Sequence, residues 1–184
     1  MPSAMYFYPF EDKTIDSGFV GNVSAKAALH CVAPTFGAKK FAYLWKMGTD
    51  SSTFAQYMGP MDRIYVLGHC GAGDNKLSTG IVGPDYERSA TELAKLFHKH
   101  GLFKGSQTHI RIHACNSGEE SVAGASDSFA EKLKKAMVKI GYKYMTIRGY
   151  KSGMGYYFVW REGENPWSSA SDANNIVQFN PPHE

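Results

Sequence analysis

Residues 62–69 read DRIYVLGH, and this stretch decides the fold class of the chain. Four large apolar side chains follow one another from Ile64 to Leu67, a pattern typical of a strand that is buried on both faces in a parallel sheet. A second strand pattern, HIRIHA, occupies residues 109–114. Because a helical pattern separates the two strands, the sequence predicts a right-handed crossover and an α/β fold with a mostly parallel sheet.

The two predicted helices carry start and stop signals. Ser89 begins the first helix and Gly101 ends it, whereas Ser128 begins the second and Gly141 ends it. A glutamate three residues after each serine predicts a capping box. The apolar stripes at helical spacing are Leu93, Leu96, Phe97 and His100 in the first helix, and Phe129, Leu133, Ala136, Met137 and Ile140 in the second. The lysines of the second helix (Lys132, Lys134, Lys135 and Lys139) are interpreted as a solvated face, with an anion-binding regulatory patch as the alternative.

The rest of the chain is less regular. Further strands are predicted at Tyr6–Phe10, Phe41–Trp45, Tyr144–Tyr150 and Tyr156–Arg161, while Ala25–Val32 fits a helix or a strand. The stretch from Cys70 to Arg88 is rich in Gly, Asp and Asn and is predicted to be a loop. Residues 163–184 are predicted to be a surface tail in which Ile176–Phe179 is docked. We expect one domain over residues 1–184, with an α/β core at 62–162 and N-terminal strands and a helix in residues 1–60.

Length and composition exclude several classes of protein. The chain has 184 residues, of which 43% are hydrophobic and 20% charged, which fits one globular domain. The net charge is only +3 and the basic residues are scattered, so no nucleic-acid surface is expected. No apolar run reaches the roughly 18 residues that a membrane span needs, and the N-terminal residues lack the pattern of a cleavable signal. The three cysteines (Cys31, Cys70 and Cys115) are too few and odd in number for a disulfide framework, which favours reduced thiols.

Reactive side chains follow both buried strands. His69 and Cys70 come at the end of the first strand, and Cys115 at the end of the second. Sites in open α/β sheets form beyond the carboxyl ends of the strands, and neighbouring strands lie about 4.8 Å apart. A thiol and an imidazole placed together there are the minimum for nucleophilic catalysis. The surrounding glycines would let a substrate carbonyl approach backbone amides that act as oxyanion donors.

An apolar strand that ends in a histidine near glycine, followed by a helix and a strand that ends in Ala-Cys, resembles the clan CD cysteine peptidases. This group includes caspases, legumains, gingipains, clostripains and the self-cleaving domains of bacterial toxins. The segment HACNSGEES at residues 113–121 is especially similar to the legumain nucleophile region. The resemblance covers about residues 62–150.

The resemblance implies a caspase-like three-layer sandwich and a cysteine endopeptidase with Cys115 as nucleophile and His69 as general base and acid. The oxyanion hole would use the amide of Cys115 and that of Cys70 or Gly71, because Cys70 intervenes where the family usually has glycine. Tyr150, Lys151 and Ser152 occupy the region that reads the P1 side chain in the family. The substrate would be a protein or peptide, the chain itself included, with no cofactor, no metal, no nucleic acid and no membrane. The expected location is the cytoplasm, or export as an effector without a cleavable signal.

Other interpretations of the same residues stay open. Cys70 is a rival nucleophile, although neighbours on an extended chain point in opposite directions. His69, Cys70, His113 and Cys115 would supply a Cys2His2 metal site, but the usual ligand spacings are missing, and His113 is more simply a hydrogen-bonded histidine.

Two alternative functions remain: an amide hydrolase (deamidase) with the same Cys–His pair, and a non-catalytic binding or assembly module. In the second case the partner surface would come from the aromatic residues Tyr156, Tyr157, Phe158 and Trp160.

Overall fold

The described residues of the protein form an α/β structure with a six-stranded main sheet and a two-stranded hairpin. Its computed structural model describes residues 4–10, 40–43, 63–79, 83–121, 124, 126–151 and 176–180. The strands are β1 (Ala4–Tyr8), β2 (Lys40–Tyr43), β3 (Arg63–Leu67), β4 (Lys76–Ser78), β5 (Glu87–Ser89), β6 (His109–His113), β7 (Thr146–Tyr150) and β8 (Ile176–Phe179). The helices are α1 (Ala90–Lys99) and α2 (Phe129–Lys139).

The strand order of the main sheet is β2-β1-β3-β6-β7-β8. All neighbours are parallel except β7 and β8, which are antiparallel. Helix α1 connects β3 to β6, and α2 connects β6 to β7. The predicted class, α/β with a mostly parallel sheet, is therefore confirmed.

The helix starts follow the predicted serines, but only one forms a full capping box. At α1, Ser89 Oγ accepts from the Glu92 amide while the Glu92 carboxylate accepts from the Ser89 amide. At α2, Ser128 Oγ accepts from the Glu131 amide in the same way. The Glu131 carboxylate instead forms an ion pair with Lys135 at 2.9 Å. The second capping box is therefore half correct, because a cation one turn away competes for the carboxylate.

Both helices pack on the same face of the sheet. The Phe97 ring of α1 lies 5.2 Å from the Phe7 ring of β1, and Phe7 pairs in register with Val66. Helix α2 packs against α1 and β7. Gly101 and Gly141 end the helices with φ values of 80° and 102°, a conformation that favours glycine. The buried apolar core between the layers includes Ile64, Val66, Leu93, Phe97, Ile110, Ile112, Phe129, Leu133, Met137 and Ile147.

Three sequence predictions need correction or completion. The predicted loop at residues 70–88 contains the antiparallel hairpin β4–β5, whose two short strands are polar except for the buried Leu77. Ile176–Phe179 of the predicted tail is strand β8, which pairs with β7. The solvated-face interpretation is wrong for Lys134, which is buried and donates to the Met145 carbonyl.

Some predicted elements lie outside the described residues. They are the element predicted at Ala25–Val32, the last two residues of the strand predicted at Phe41–Trp45, and the strand predicted at Tyr156–Arg161. In the part of the chain that the structure describes, neither helix combines the length and the apolar character that a bilayer span requires.

Candidate active site

The pairing of β3 with β6 brings the predicted catalytic residues to one edge of the sheet. Leu67 pairs with His113, an offset of 46 positions (113 minus 67). The Gly68 amide donates to the His113 carbonyl at 3.3 Å beside this last pair. His69 and Cys115 each come two residues after that pair. The carboxyl ends of neighbouring parallel strands lie at the same edge of the sheet, so both residues belong to the loops at that edge.

The backbone of His69 is fixed by the hairpin. Its amide donates to the Ser78 carbonyl at 2.7 Å, and the Ser78 amide donates back at 2.9 Å. The side chain is half-buried. Burial lowers the pKa of His69 from its usual value of 6.5, because desolvation disfavours the imidazolium. The neutral imidazole that results at neutral pH can accept a proton.

Cys115 is half-exposed at the start of a tight turn. Asn116, the next residue, has a φ of 51°, an uncommon conformation that asparagine tolerates better than most residues. Ser117 is buried, and its hydroxyl donates to the Ile112 carbonyl at 3.1 Å and accepts from the Tyr150 amide at 3.2 Å. The turn that presents Cys115 is therefore fastened to both β6 and β7.

Two glycines allow this turn to approach β7 closely. A Cβ at Gly149 would lie 2.6 Å from the Gly118 nitrogen, well inside van der Waals contact. The Gly118 amide donates to the Tyr150 carbonyl at 2.8 Å. Neither contact was predicted from the sequence. Glycine inside the strand pattern TIRGY was the available signal, since glycine in a strand often marks the close approach of another backbone.

The loop after His69 and the loop after Cys115 are joined by hydrogen bonds. The Gly73 amide donates to the Glu119 carbonyl at 2.9 Å. Lys132 Nζ donates to the carbonyls of Gly73 at 2.8 Å and Asp74 at 3.0 Å, and to Ser126 Oγ at 2.6 Å. We call these contacts of the Lys132 ammonium the Lys132 clamp. They correct the interpretation of Lys132 as a solvated residue, and no sequence pattern indicated them.

The two candidate oxyanion donors after His69 differ in their partners. The Gly71 amide donates to the Asp74 carboxylate at 2.5 Å. The Cys70 amide has no acceptor within the described residues. Since a donor must be available to bind an oxyanion, the geometry favours the Cys70 amide over that of Gly71.

The Cys70 thiol is a poor nucleophile. It is buried, and its Sγ donates to the Gly71 carbonyl at 3.3 Å. Burial, with a further contribution from the charge of Asp74, raises the pKa of Cys70 to about 12. The thiolate is the reactive form, so this environment disfavours Cys70 as the rival of Cys115.

Two of the residues predicted to read the P1 side chain, Tyr150 and Lys151, differ in their burial. The Tyr150 side chain is only 2% exposed, and its hydroxyl lies 3.3 Å from His113 Nε2. In this conformation its ring meets His113 rather than a substrate. Lys151 is exposed, and Ser152 lies outside the described residues.

His113 is a hydrogen-bonded histidine. Burial, and secondarily the charge of Arg111, lowers the pKa of His113 to about 3, so the ring is neutral. Across the described ranges, no three His, Cys, Asp or Glu side chains come together as a set of metal ligands. The four residues of the Cys2His2 interpretation therefore do not form such a set.

The sequence matches no known protein-family model and none of the curated proteins with which it was compared. The functional assignment therefore depends on the residues and geometry of the site.

Proposed function

We propose that the protein is a cysteine endopeptidase of the clan CD type, with a caspase-like three-layer sandwich. The observation that carries the proposal is the parallel pairing of β3 with β6, because His69 and Cys115 each follow the last register pair, Leu67 with His113, by two residues. The parallel sheet and the two helices on one of its faces would be two of the three layers.

In the proposed reaction the Cys115 thiol gives its proton to the His69 imidazole. The thiolate attacks the peptide carbonyl carbon, and the carbonyl π electrons move to oxygen. The tetrahedral intermediate collapses, the C–N bond breaks, and His69 returns the proton to the leaving amine. Water then hydrolyses the thioester with His69 as base, which regenerates the thiol and releases the acid.

Backbone donors would stabilise the oxyanion. The amides of Cys115 and Cys70 are the two proposed donors, one from each loop. Loss of one such donor typically costs about 2.7–4 kcal/mol of transition-state stabilisation. The Lys132 clamp supports this arrangement, because it fixes the two loops relative to each other.

The test is digestion of a diverse peptide library by the wild type and three variants. Cys115→Ala and His69→Ala are expected to abolish cleavage, while Cys70→Ala, the matched control, retains it. Thermal unfolding of every variant confirms that each is folded.

Three results would contradict the proposal. Folded wild type that cleaves no peptide would favour a non-catalytic binding module. Conversion of asparagine or glutamine side chains without chain cleavage would favour a deamidase. Cleavage by folded Cys115→Ala would exclude this thiol as the nucleophile.

A further inference from the structure

Four basic side chains share one face of the sheet near the amino ends of its strands. Arg63 pairs in register with His109, and Arg111 pairs with Arg148. Tyr65, two residues after Arg63, is the register partner of Arg111. Side chains two apart on a strand and opposite each other across strands lie on one face, so the four belong together. We call them the arginine cluster.

This face is opposite to the one that carries the two helices. Val66 and Phe7 lie on the helix side, whereas Tyr65 and its register partners lie on the other side. Arg63 is exposed, and the other three members of the cluster are half-exposed. A ligand can therefore reach all four.

The charges of the cluster act on one another. Burial, followed by the charges of Arg111 and Arg63, lowers the pKa of Arg148. Burial, followed by the charges of Arg148, Arg63 and Arg111, lowers the pKa of His109. The three arginines are thus close enough to repel one another, and His109 is neutral near pH 7.

The arginines are oriented by uncharged groups. Arg148 Nε donates to Gln178 Oε1 at 2.7 Å. The Arg111 guanidinium lies 5.8 Å from the centre of the Tyr65 ring. These contacts hold two guanidinium groups without neutralising them.

Within the described part of the chain, no carboxylate forms an ion pair with the cluster. The ion pairs found there join Lys76 to Glu87, and Lys135 to Asp127 and Glu131. Like charges directly opposite each other on neighbouring strands are destabilising. The fold therefore carries an electrostatic cost at Arg111 and Arg148 that an anion would relieve.

We propose that the arginine cluster binds the phosphoryl dianion of a small molecule. Three guanidinium groups present planar forks of donors that match the oxygens of a phosphoryl group. A phosphate monoester carries about −1.5 to −2 charges at pH 7, so it offsets most of the +3 of the arginines, whereas one carboxylate would leave two charges uncompensated.

This site is separate from the candidate active site. Arg111 precedes the last register pair of β3 and β6, Leu67 with His113, whereas His69 and Cys115 follow that pair. The proposal does not depend on peptidase activity, and its test requires no catalysis.

Calorimetry and thermal unfolding of the full chain test the proposal, with inorganic phosphate, pyrophosphate and glycerol phosphate as probes at constant ionic strength. The three probes distinguish free phosphate, a diphosphate and a monoester as the source of the group. We expect phosphate at ten times its Kd to raise the Tm of the wild type by about 3–6 °C. Arg148→Gln is expected to weaken binding by about tenfold or more, because it removes charge-assisted hydrogen bonds.

The matched control is Lys95→Gln, which removes one exposed positive charge from α1 on the other face. It should bind phosphate as the wild type does. Arg63→Gln serves as a second variant if Arg148→Gln does not fold, because Arg63 is exposed. The NMR titration of His109 provides an independent readout: its pKa should rise when phosphate binds.

Three outcomes would overturn the proposal. Equal stabilisation by acetate or chloride would mean general screening. Equal weakening in Lys95→Gln would mean that the effect is not local. Tighter binding of a single-stranded oligonucleotide than of any small probe would indicate a nucleic-acid surface instead.

Discussion

Replacement of Lys132 by methionine tests the contacts that hold the two loops of the candidate site together. Methionine keeps much of the apolar stem of lysine but removes the ammonium group. The carbonyls of Gly73 and Asp74 and the Ser126 hydroxyl then lose their shared donor.

The expected magnitude follows from the partial burial of Lys132. A hydrogen bond to a charged group contributes about 1.5–3 kcal/mol. Water can replace the ammonium at the exposed Asp74 carbonyl, so we expect Lys132→Met to lower the free energy of unfolding by about the value of one such bond. For a chain of this length that loss corresponds to a decrease in Tm of about 3–12 °C.

Circular dichroism during heating measures the stability change, and peptide cleavage at 25 °C measures the effect on the site. Because a displacement of about 1 Å can cost up to a hundredfold in rate, kcat/KM should fall by about tenfold to a hundredfold. The control is Lys135→Met on the same helix, whose exposed ammonium pairs with Asp127 at 2.6 Å and Glu131 at 2.9 Å. Exposed ion pairs contribute at most about 1 kcal/mol, so its Tm should fall by less than about 4 °C and by less than that of Lys132→Met.

Equal Tm shifts in the two methionine variants would refute the reasoning, since they would show that the clamp contributes no more than a surface lysine. An unchanged kcat/KM in a destabilised Lys132→Met would show that the clamp does not position the site.

Three further changes probe single features of the site. Burial lowers the pKa of His69, so its base form persists to lower pH. The acid limb of the kcat/KM profile should therefore have its midpoint below pH 6.5. A midpoint above 6.5 would contradict this. Gly149→Ala should destabilise the protein by about 1–3 kcal/mol and lower kcat/KM, since its Cβ would lie 2.6 Å from the Gly118 nitrogen. In the control Gly105→Ala, the new Cβ would meet only an exposed side chain. Equal Tm shifts in Gly149→Ala and Gly105→Ala would exclude the close approach of Gly118 to Gly149 as the cause. Ser117→Ala should cost about 1–3 kcal/mol in urea unfolding because a buried β7 amide loses its acceptor; an unchanged midpoint would count against that hydrogen bond.

The sequence predicts the parallel core because its signals are local. Ile64 to Leu67 form a continuous apolar run, and the serine caps and terminal glycines mark each helix within a few residues. Those patterns need no knowledge of distant parts of the chain, so β3, β6 and both helices are recovered.

The features that the sequence analysis missed depend on contacts between distant residues. The β4 and β5 strands are short and, apart from Leu77, polar, and their pairing with each other is what identifies them as strands. Lys132 has the same local context as the exposed Lys135, and only the folded loop from residue 73 distinguishes the two. The approach of Gly118 to Gly149 likewise needs the turn and β7 to be in place.

The rate of alkylation of each cysteine by iodoacetamide tests the central claim most directly, because the reagent requires no knowledge of the peptide substrate. Mass spectrometry of the digested protein follows Cys115 and Cys70 separately at pH 8. With a pKa of about 12, only about one Cys70 thiol in ten thousand is ionised at that pH, so this residue should react slowly.

If Cys115 and His69 share a proton, Cys115 should be labelled much faster than Cys70 in the wild type. His69→Ala should slow the labelling of Cys115 by about tenfold or more without changing that of Cys70. An unchanged Cys115 rate in folded His69→Ala would contradict the account.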